Sequence, residues 1–224
     1  MWKYAFVFAF LVSSAAAALP GWLELGVVGC GGLTVPVGGY FGAKTSQLAA
    51  LGASGQTRIR SLPQWGEGLY ATMDVLPWLS VGLEPRVSFR SASSLSSTDA
   101  GKAFDLYAVS FASGIIPATV TGKLTCGPGD IGITAGGYYG VVIGSVTFLD
   151  RYASVTTTAS ATGAGFWGLT AGAGYSLDVG PLRAGLSLRV DWTLTSIVPF
   201  GAGQEITPVD LSLMFALGIR GAQR

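Results

Sequence analysis

The side chains able to carry chemistry are few, and most occupy alternate positions of three segments. Glu84, Arg86 and Arg90 lie in LSVGLEPRVSFR, Arg189 and Asp191 in LRAGLSLRVDWTLTS, and Asp210 in VDLSLMFALGIR. Carboxylates and guanidiniums so placed can pair with one another or line a solute path. The chain has no histidine, which removes the usual general base, the histidine-containing triads and the commonest transition-metal ligand. Two separated cysteines, Cys30 and Cys126, do not make a zinc site. The glycine-rich GAGFWGLTAGAG lacks the lysine and the strand-to-helix context of a phosphate loop. We therefore expect no enzyme, no metal and no cofactor.

The elements that must position these charges are strands. In 182–195 apolar and polar or small residues alternate without a break, which sets Leu182, Ala184, Leu186, Leu188, Val190, Trp192 and Leu194 against Arg183, Gly185, Ser187, Arg189, Asp191, Thr193 and Thr195. A period of two is the strand signal. Segments 209–220 and 79–90 repeat it. Weaker versions run over 65–75, 131–142 and 166–179, where Gly and Thr make up most of the small face. Two more, over 22–37 and 104–120, contain breaks that imply bulges. The total is eight. Pro85 falls in mid-strand, where its missing donor also predicts a bulge.

Half of the residues are hydrophobic, 11% are charged and 34 are glycine. That mixture suits a chain whose apolar side chains face something other than a core. The uncharged run 131–149 could span a membrane as a helix, but its Gly, Thr, Tyr, Val and Ile favour a strand. A soluble lipocalin-like ligand-binding barrel would turn the charged face outward and leave too few charges to solvate it. At the N-terminus, Lys3, an apolar run to Val12 and the Ala16-x-Ala18 spacing read as a cleavable signal peptide over 1–18, with one domain over 19–224. Losing Lys3 evens the balance of 13 basic and 12 acidic residues. A neutral chain has no broad field for nucleic acid.

Connections alternate between tight turns at Leu76-Pro77, Gly127-Pro128-Gly129 and Gly180-Pro181 and long polar loops over 43–64, 91–103, 150–165 and 197–206. Short turns on one side and long loops on the other mark a bacterial outer-membrane barrel with both termini on the turn, or periplasmic, side. Aromatic residues fall at two levels. Trp22 and Trp78 lie at the turn ends of strands; Trp65, Phe89, Phe104, Phe166, Trp167 and Trp192 lie near the loop ends, as interface girdles require. Cys30 and Cys126 are not expected to pair. The lipobox-like Val27-Val28-Gly29-Cys30, which would acylate Cys30, follows a region interrupted by Pro20 and Glu24.

The pattern as a whole resembles the small outer-membrane β-barrel proteins of the OmpA, OmpX and OmpW type, and DVLPWLSVGLEPR, residues 74–86, resembles the strand-turn-strand of small spirochaete barrels. The resemblance implies an all-β, eight-stranded antiparallel transmembrane meander barrel in the bacterial outer membrane, a monomer that meets the lipid bilayer and, during biogenesis, the barrel-assembly machinery. It departs where the family commonly ends on an aromatic residue, since this chain continues from Ile219 through Arg220 to Arg224. The functions implied are a narrow pore for small solutes, a largely closed structural barrel, or a surface adhesin that binds host ligands through its outer loops. For the inward charges this leaves two readings: a salt-bridge network that plugs an interior just wide enough for side chains, or a constriction that selects solutes. Inward glycines, among them Gly82, Gly136, Gly168, Gly172, Gly174 and Gly185, predict open volume. Lys44, Arg58 and Arg60 and the Ser- and Thr-rich stretches belong to the outer loops.

Overall fold

A computed structural model describes residues 19–35, 37–50, 56–99, 102–150, 154–197 and 205–221. The expected signal peptide and much of the loop around Gly201 lie outside them.

The chain folds into strands β1 (Leu23–Val35), β2 (Gln56–Arg60), β3 (Leu62–Leu76), β4 (Leu79–Leu83), β5 (Arg86–Asp99), β6 (Lys102–Cys126), β7 (Gly129–Asp150), β8 (Val155–Ser160), β9 (Gly165–Val179), β10 (Leu182–Thr193) and β11 (Val209–Arg220), with one helix, α1 (Gly39–Ala50). β4 and β5 are the two halves of one wall strand. Eight wall strands, β1, β3, β4–β5, β6, β7, β9, β10 and β11, pair antiparallel in chain order, and the ring closes because β1 pairs with both β3 and β11. Closure leaves the wall without an edge, the condition for a sheet to sit in lipid.

Alternation sets the two faces as the sequence requires. Leu186, Leu188, Val190 and Trp192 of β10 face outward and are exposed, whereas Arg183, Arg189 and Asp191 are buried inside. Exposed large apolar residues ring the whole wall, from Leu25 and Val27 through Leu69, Ile133 and Leu169 to Leu213 and Phe215. Such a belt has no stable aqueous form. The wall is thus apolar outside and carries its paired charges inside, the inverse of a lipocalin. Trp22, Trp65, Trp78, Phe89, Trp167 and Trp192 all project outward, with Trp65 stacked on Phe89 at 4.2 Å and Trp167 against Tyr139 at 4.7 Å. Phe166 corrects the expectation: it is fully buried inside the barrel, edge-on to Tyr138.

Two-residue turns join β3 to β4, β6 to β7 and β9 to β10. Gly127 and Gly180 in the last two adopt φ of 64° and 63°, open to glycine at no steric cost. Two bulge expectations fail. β1 keeps one register against both neighbours; its alternation breaks only because Val28 faces in while Gly29 and Gly31 face out. No residue is inserted at Pro85 either, since Ala71↔Leu83 and Gly68↔Arg86 on one side and Leu83↔Ala118 and Arg86↔Ile115 on the other keep constant registers. Leu69 N donates to Pro85 O at 3.0 Å and Glu84 N to Pro117 O at 3.0 Å. Neither proline can return a bond, so the ladder thins there without slipping. In β6 the expected bulge is at Leu106, left unmatched between Leu95↔Tyr107 and Ser96↔Asp105, while opposite Phe111 the extra residues, 144–146 with Gly144 at positive φ, belong to β7.

At the far end, three of the four long loops are more ordered than expected. β5 and β6 continue as a hairpin to Asp99 and Lys102. With β2 on β5 and β8 on β7, they build a five-stranded sheet, β2-β5-β6-β7-β8, standing beyond the barrel. The first loop contributes α1 as well as β2.

Candidate functional site

Every inward charge singled out from the sequence enters one of two adjoining ion-pair groups at mid-barrel. Arg86 pairs with Asp191 and lies 4.0 Å from Glu84. Glu84 accepts two hydrogen bonds from Arg189, one of them 3.0 Å long from Nη2. Arg90 reaches Asp210 at 2.8 Å, and Thr34 Oγ1 donates to the same carboxylate at 2.7 Å. Asp191 and Asp210 are cross-strand partners on β10 and β11. Two like charges so placed repel, and Arg86 and Arg90, four residues apart on one face of β5, each neutralise one of them. Arg86, Arg90, Arg189, Asp191 and Asp210 are all buried. Three guanidiniums and three carboxylates make the group neutral, as the interior of a narrow barrel demands.

Above the charges the interior is apolar. Tyr107, Val109, Phe111, Ile115, Tyr138, Val142, Val146, Phe148, Ala161 and Phe166 form one core with Ile197 and Ile206 of the last outer loop. Arg90 leads into it, its guanidinium 5.8 Å from the Phe111 ring and 5.7 Å from the Phe166 ring, within cation–π range. Several inward glycines are therefore filled rather than open. A Cβ at Gly168 would lie 2.1 Å from the Tyr138 ring, and one at Gly140 would lie 2.3 Å from the Phe166 ring. These glycines make room for aromatic rings.

At the outer end the chain leading into α1 meets the described ends of the last loop. Tyr40 N donates to Glu205 O at 3.2 Å, Thr207 N to Val37 O at 2.9 Å and Ile197 N to Ile206 O at 3.1 Å. Lys44 pairs with Asp150 at 3.6 Å and covers the Tyr107 ring at 4.8 Å. Burial of Tyr40 beside Phe148, reinforced by Asp150 and then Tyr107, pushes its phenol up to about 12. The other loop cations singled out, Arg58 and Arg60, belong to β2.

Below the charges lies a vestibule of about 160 Å³, opening toward the turn end, with Glu84, Arg189 and Met214 at its inner limit and Gly132, Gly174 and Gly185 in its walls. A second ionic group, which the sequence reading did not single out, surrounds it. Arg183 pairs with Asp130 at 2.6 Å, with Asp178 at 3.0 Å and, more loosely, with Glu24 at 3.7 Å. Tyr70 donates to Glu24 at 2.5 Å, and Asp74 is shared by Lys123 and Arg220. Arg183 was visible as one of the inward residues of its strand; Asp178 is its cross-strand partner in the same hairpin, whereas Asp130, beyond the β6–β7 turn, and Glu24, at the start of β1, could not be read off spacing. Cys30 faces inward midway along β1, opposite Gly66 and Met214, which leaves no place for an acylated N-terminus at that residue. Cys126 is exposed at the end of β6, and both thiols are free. Among the described residues no cluster of acidic or cysteine side chains is suited to a metal.

No protein-family model and no curated protein sequence matches the chain. Its fold is similar to that of several solved structures. Neisserial surface protein A is 9% identical with a TM-score of 0.49, over 88% of this chain and 96% of that one. The attachment invasion locus protein Ail of Yersinia pestis is 11% identical with a TM-score of 0.41, over 88% and 97%. The outer membrane protein OprG of Pseudomonas aeruginosa is 14% identical with a TM-score of 0.42, over 88% and 96%.

Proposed function

We propose that the protein is an integral barrel of the bacterial outer membrane, sealed along its axis, and that it works through the sheet and loops it holds outside the cell. The observation that carries this reading is the filling of the interior: a neutral ion-pair layer at mid-height followed by an apolar core and a docked loop. Water-filled pores need a polar path from end to end, and this interior offers one only over its turn-side half. The outward apolar belt, the aromatic girdles and the turn asymmetry support the outer membrane as its location, reached by export behind the N-terminal leader and folding by the barrel-assembly machinery.

The outer sheet supports binding rather than transport. β2 and β8 end the strand order, each paired on one side only among the described residues. Free edges offer main-chain donors and acceptors to an extended segment of another protein, such as a host surface ligand. The narrow-pore reading draws on the vestibule alone.

The test is conductance in a planar bilayer of protein refolded to a heat-modifiable band. We expect silence, and discrete openings from the folded protein would overturn the sealed-barrel reading. In parallel, replacing residues 154–164 by a short Gly-Ser linker should abolish attachment to host cells or matrix while the band persists. Attachment that survives this replacement and the removal of β2 would sink the binding reading.

A further inference from the structure

The lipid-facing surface carries one charge where none is needed. On β3 the outward residues are Trp65, Glu67, Leu69, Ala71 and Met73, and Glu67 is exposed between Trp65 and Leu69. Among the described residues of the barrel wall below the outer sheet, no other charged side chain faces outward; Glu24, Asp74, Glu84, Asp130, Asp178, Asp191 and Asp210 all enter the ionic groups inside. An ionisable side chain turned toward lipid is costly, and its default meaning is a partner of opposite charge. Nothing within the barrel supplies that partner, because its cationic side chains at membrane depth point inward.

The surroundings of Glu67 narrow the partner's chemistry. One step outward along the strand, roughly 7 Å away, Trp65 stacks on Phe89 at 4.2 Å, and both rings are exposed in the outer girdle. Across the ladder Glu67 lies opposite Val87 on one side and Gly29 on the other. Gly29 and its outward neighbour Gly31 have nothing within 4 Å of where a Cβ would stand. The wall is therefore notched beside the carboxylate. A carboxylate, an aromatic face and a notch, all just inside the interface level, fit a small primary ammonium group carried by a lipid whose acyl chains cover the apolar wall below.

We infer that Glu67, Trp65 and the Gly29–Gly31 notch form a lipid-binding site on the outside of the barrel that takes the ammonium headgroup of a zwitterionic phospholipid. The headgroup would lie along the wall, with its phosphate level with Trp65 beside the bound ammonium, and the tails would descend over Val27 and Leu69. The site is independent of whether the lumen conducts or the outer sheet binds a partner.

Native mass spectrometry of the refolded barrel, released from a non-ionic polyoxyethylene detergent, tests this directly. With equal amounts of phosphatidylethanolamine and phosphatidylglycerol added, the parent protein should retain one phosphatidylethanolamine at least tenfold in preference to phosphatidylglycerol. Glu67→Gln, which keeps shape and removes charge, should erase the preference, and Trp65→Leu should reduce it several-fold. Each variant must first show the heat-modifiable folded band. Equal retention of both lipids by the parent would overturn the site, as would a preference that Glu67→Gln leaves intact. A parent dimer that Glu67→Gln dissolves would also overturn it, by assigning the carboxylate to a protein contact.

Discussion

Replacing Arg86 tests the mid-barrel layer at its most exposed assumption, that the layer is held by mutual neutralisation. The Arg86 and Asp191 side chains are 2% and 3% exposed, and Asp191 Oδ1 has no hydrogen-bond partner among the described residues. Arg86→Met keeps a long side chain beside Met214 but leaves Asp191 beside Asp210 with one guanidinium fewer between them. Breaking a buried pair in this way costs about 3–5 kcal/mol, roughly a hundredfold to a few thousandfold in the folding constant. The double variant Arg86→Met, Asp191→Leu leaves the layer neutral again, with Glu84 on Arg189 and Arg90 on Asp210. It should therefore return to within about 1–2 kcal/mol of the parent, because a well-packed apolar pair replaces a buried ionic one at little cost. Equilibrium unfolding by guanidinium in lipid vesicles, followed by tryptophan fluorescence and checked by the heat-modifiable band, yields both differences and their coupling. A single variant as stable as the parent, or a double variant as unstable as the single one, would refute mutual neutralisation.

Other consequences follow from separate parts of the molecule. Leu188 is 60% exposed in the middle of β10's outward face, so Leu188→Arg should cost about 2–4 kcal/mol in a bilayer and slow insertion, whereas Ser187→Ala on the opposite face should insert at the parent's rate; reversed results would mean that the faces are inverted. Pro85→Ala should restore the ladder bond to Leu69 and raise stability by about 0.5–1.5 kcal/mol, and a loss of stability would show that the proline's fixed φ matters more than the missing donor. The Tyr40 phenol, pushed up to about 12, should remain protonated as pH passes the usual value of about 10. A raised folded-state value favours the docked α1 below pH 10, and that contribution is lost as pH climbs toward 12. The phenolate absorbance difference between the parent and Tyr40→Phe should therefore emerge near pH 12; emergence near pH 10 would mean that the helix is not packed as described.

The wall was legible because the side-chain period is two and lipid demands an uninterrupted apolar face. Wherever that demand ends, legibility ends with it. Residues 91–103 read as a loop because Ser, Thr and Ala show no alternation of apolar and polar positions, yet β5 runs on to Asp99 and β6 starts at Lys102, the two paired as a ladder. The six inward charges were found by alternation, but their pairing was not. Arg86 meets Asp191 and Arg90 meets Asp210 across the lumen, where contact depends on the stagger of strands around the ring, which local spacing does not encode. Glycine misled in one respect, since Gly168, which reads as open volume, has its space taken by the Tyr138 ring. Glu67 carries no signal in the alternation that marks inner polar residues, because it stands on the outer face of β3.

The pairings also constrain how the barrel can be born. The guanidiniums of β5 find their carboxylates on β10 and β11, more than 100 positions later in the chain. A hairpin of β3 with β4–β5 entering lipid alone would carry Arg86 and Arg90 with no counter-charge except Glu84, and a hairpin of β10 and β11 would set Asp191 against Asp210 with Arg189 between. Arginine turned to lipid in a barrel wall is resisted in proportion to its depth, by about 2–4 kcal/mol at the midplane and less toward the interface. Strand-by-strand insertion is thus penalised at every stage until the last strand meets the first, and only the closed ring is free of the penalty. The ion-pair layer therefore favours an entry into the membrane in which the sheet curls as it crosses the bilayer, because its counter-charges meet only when the ring closes.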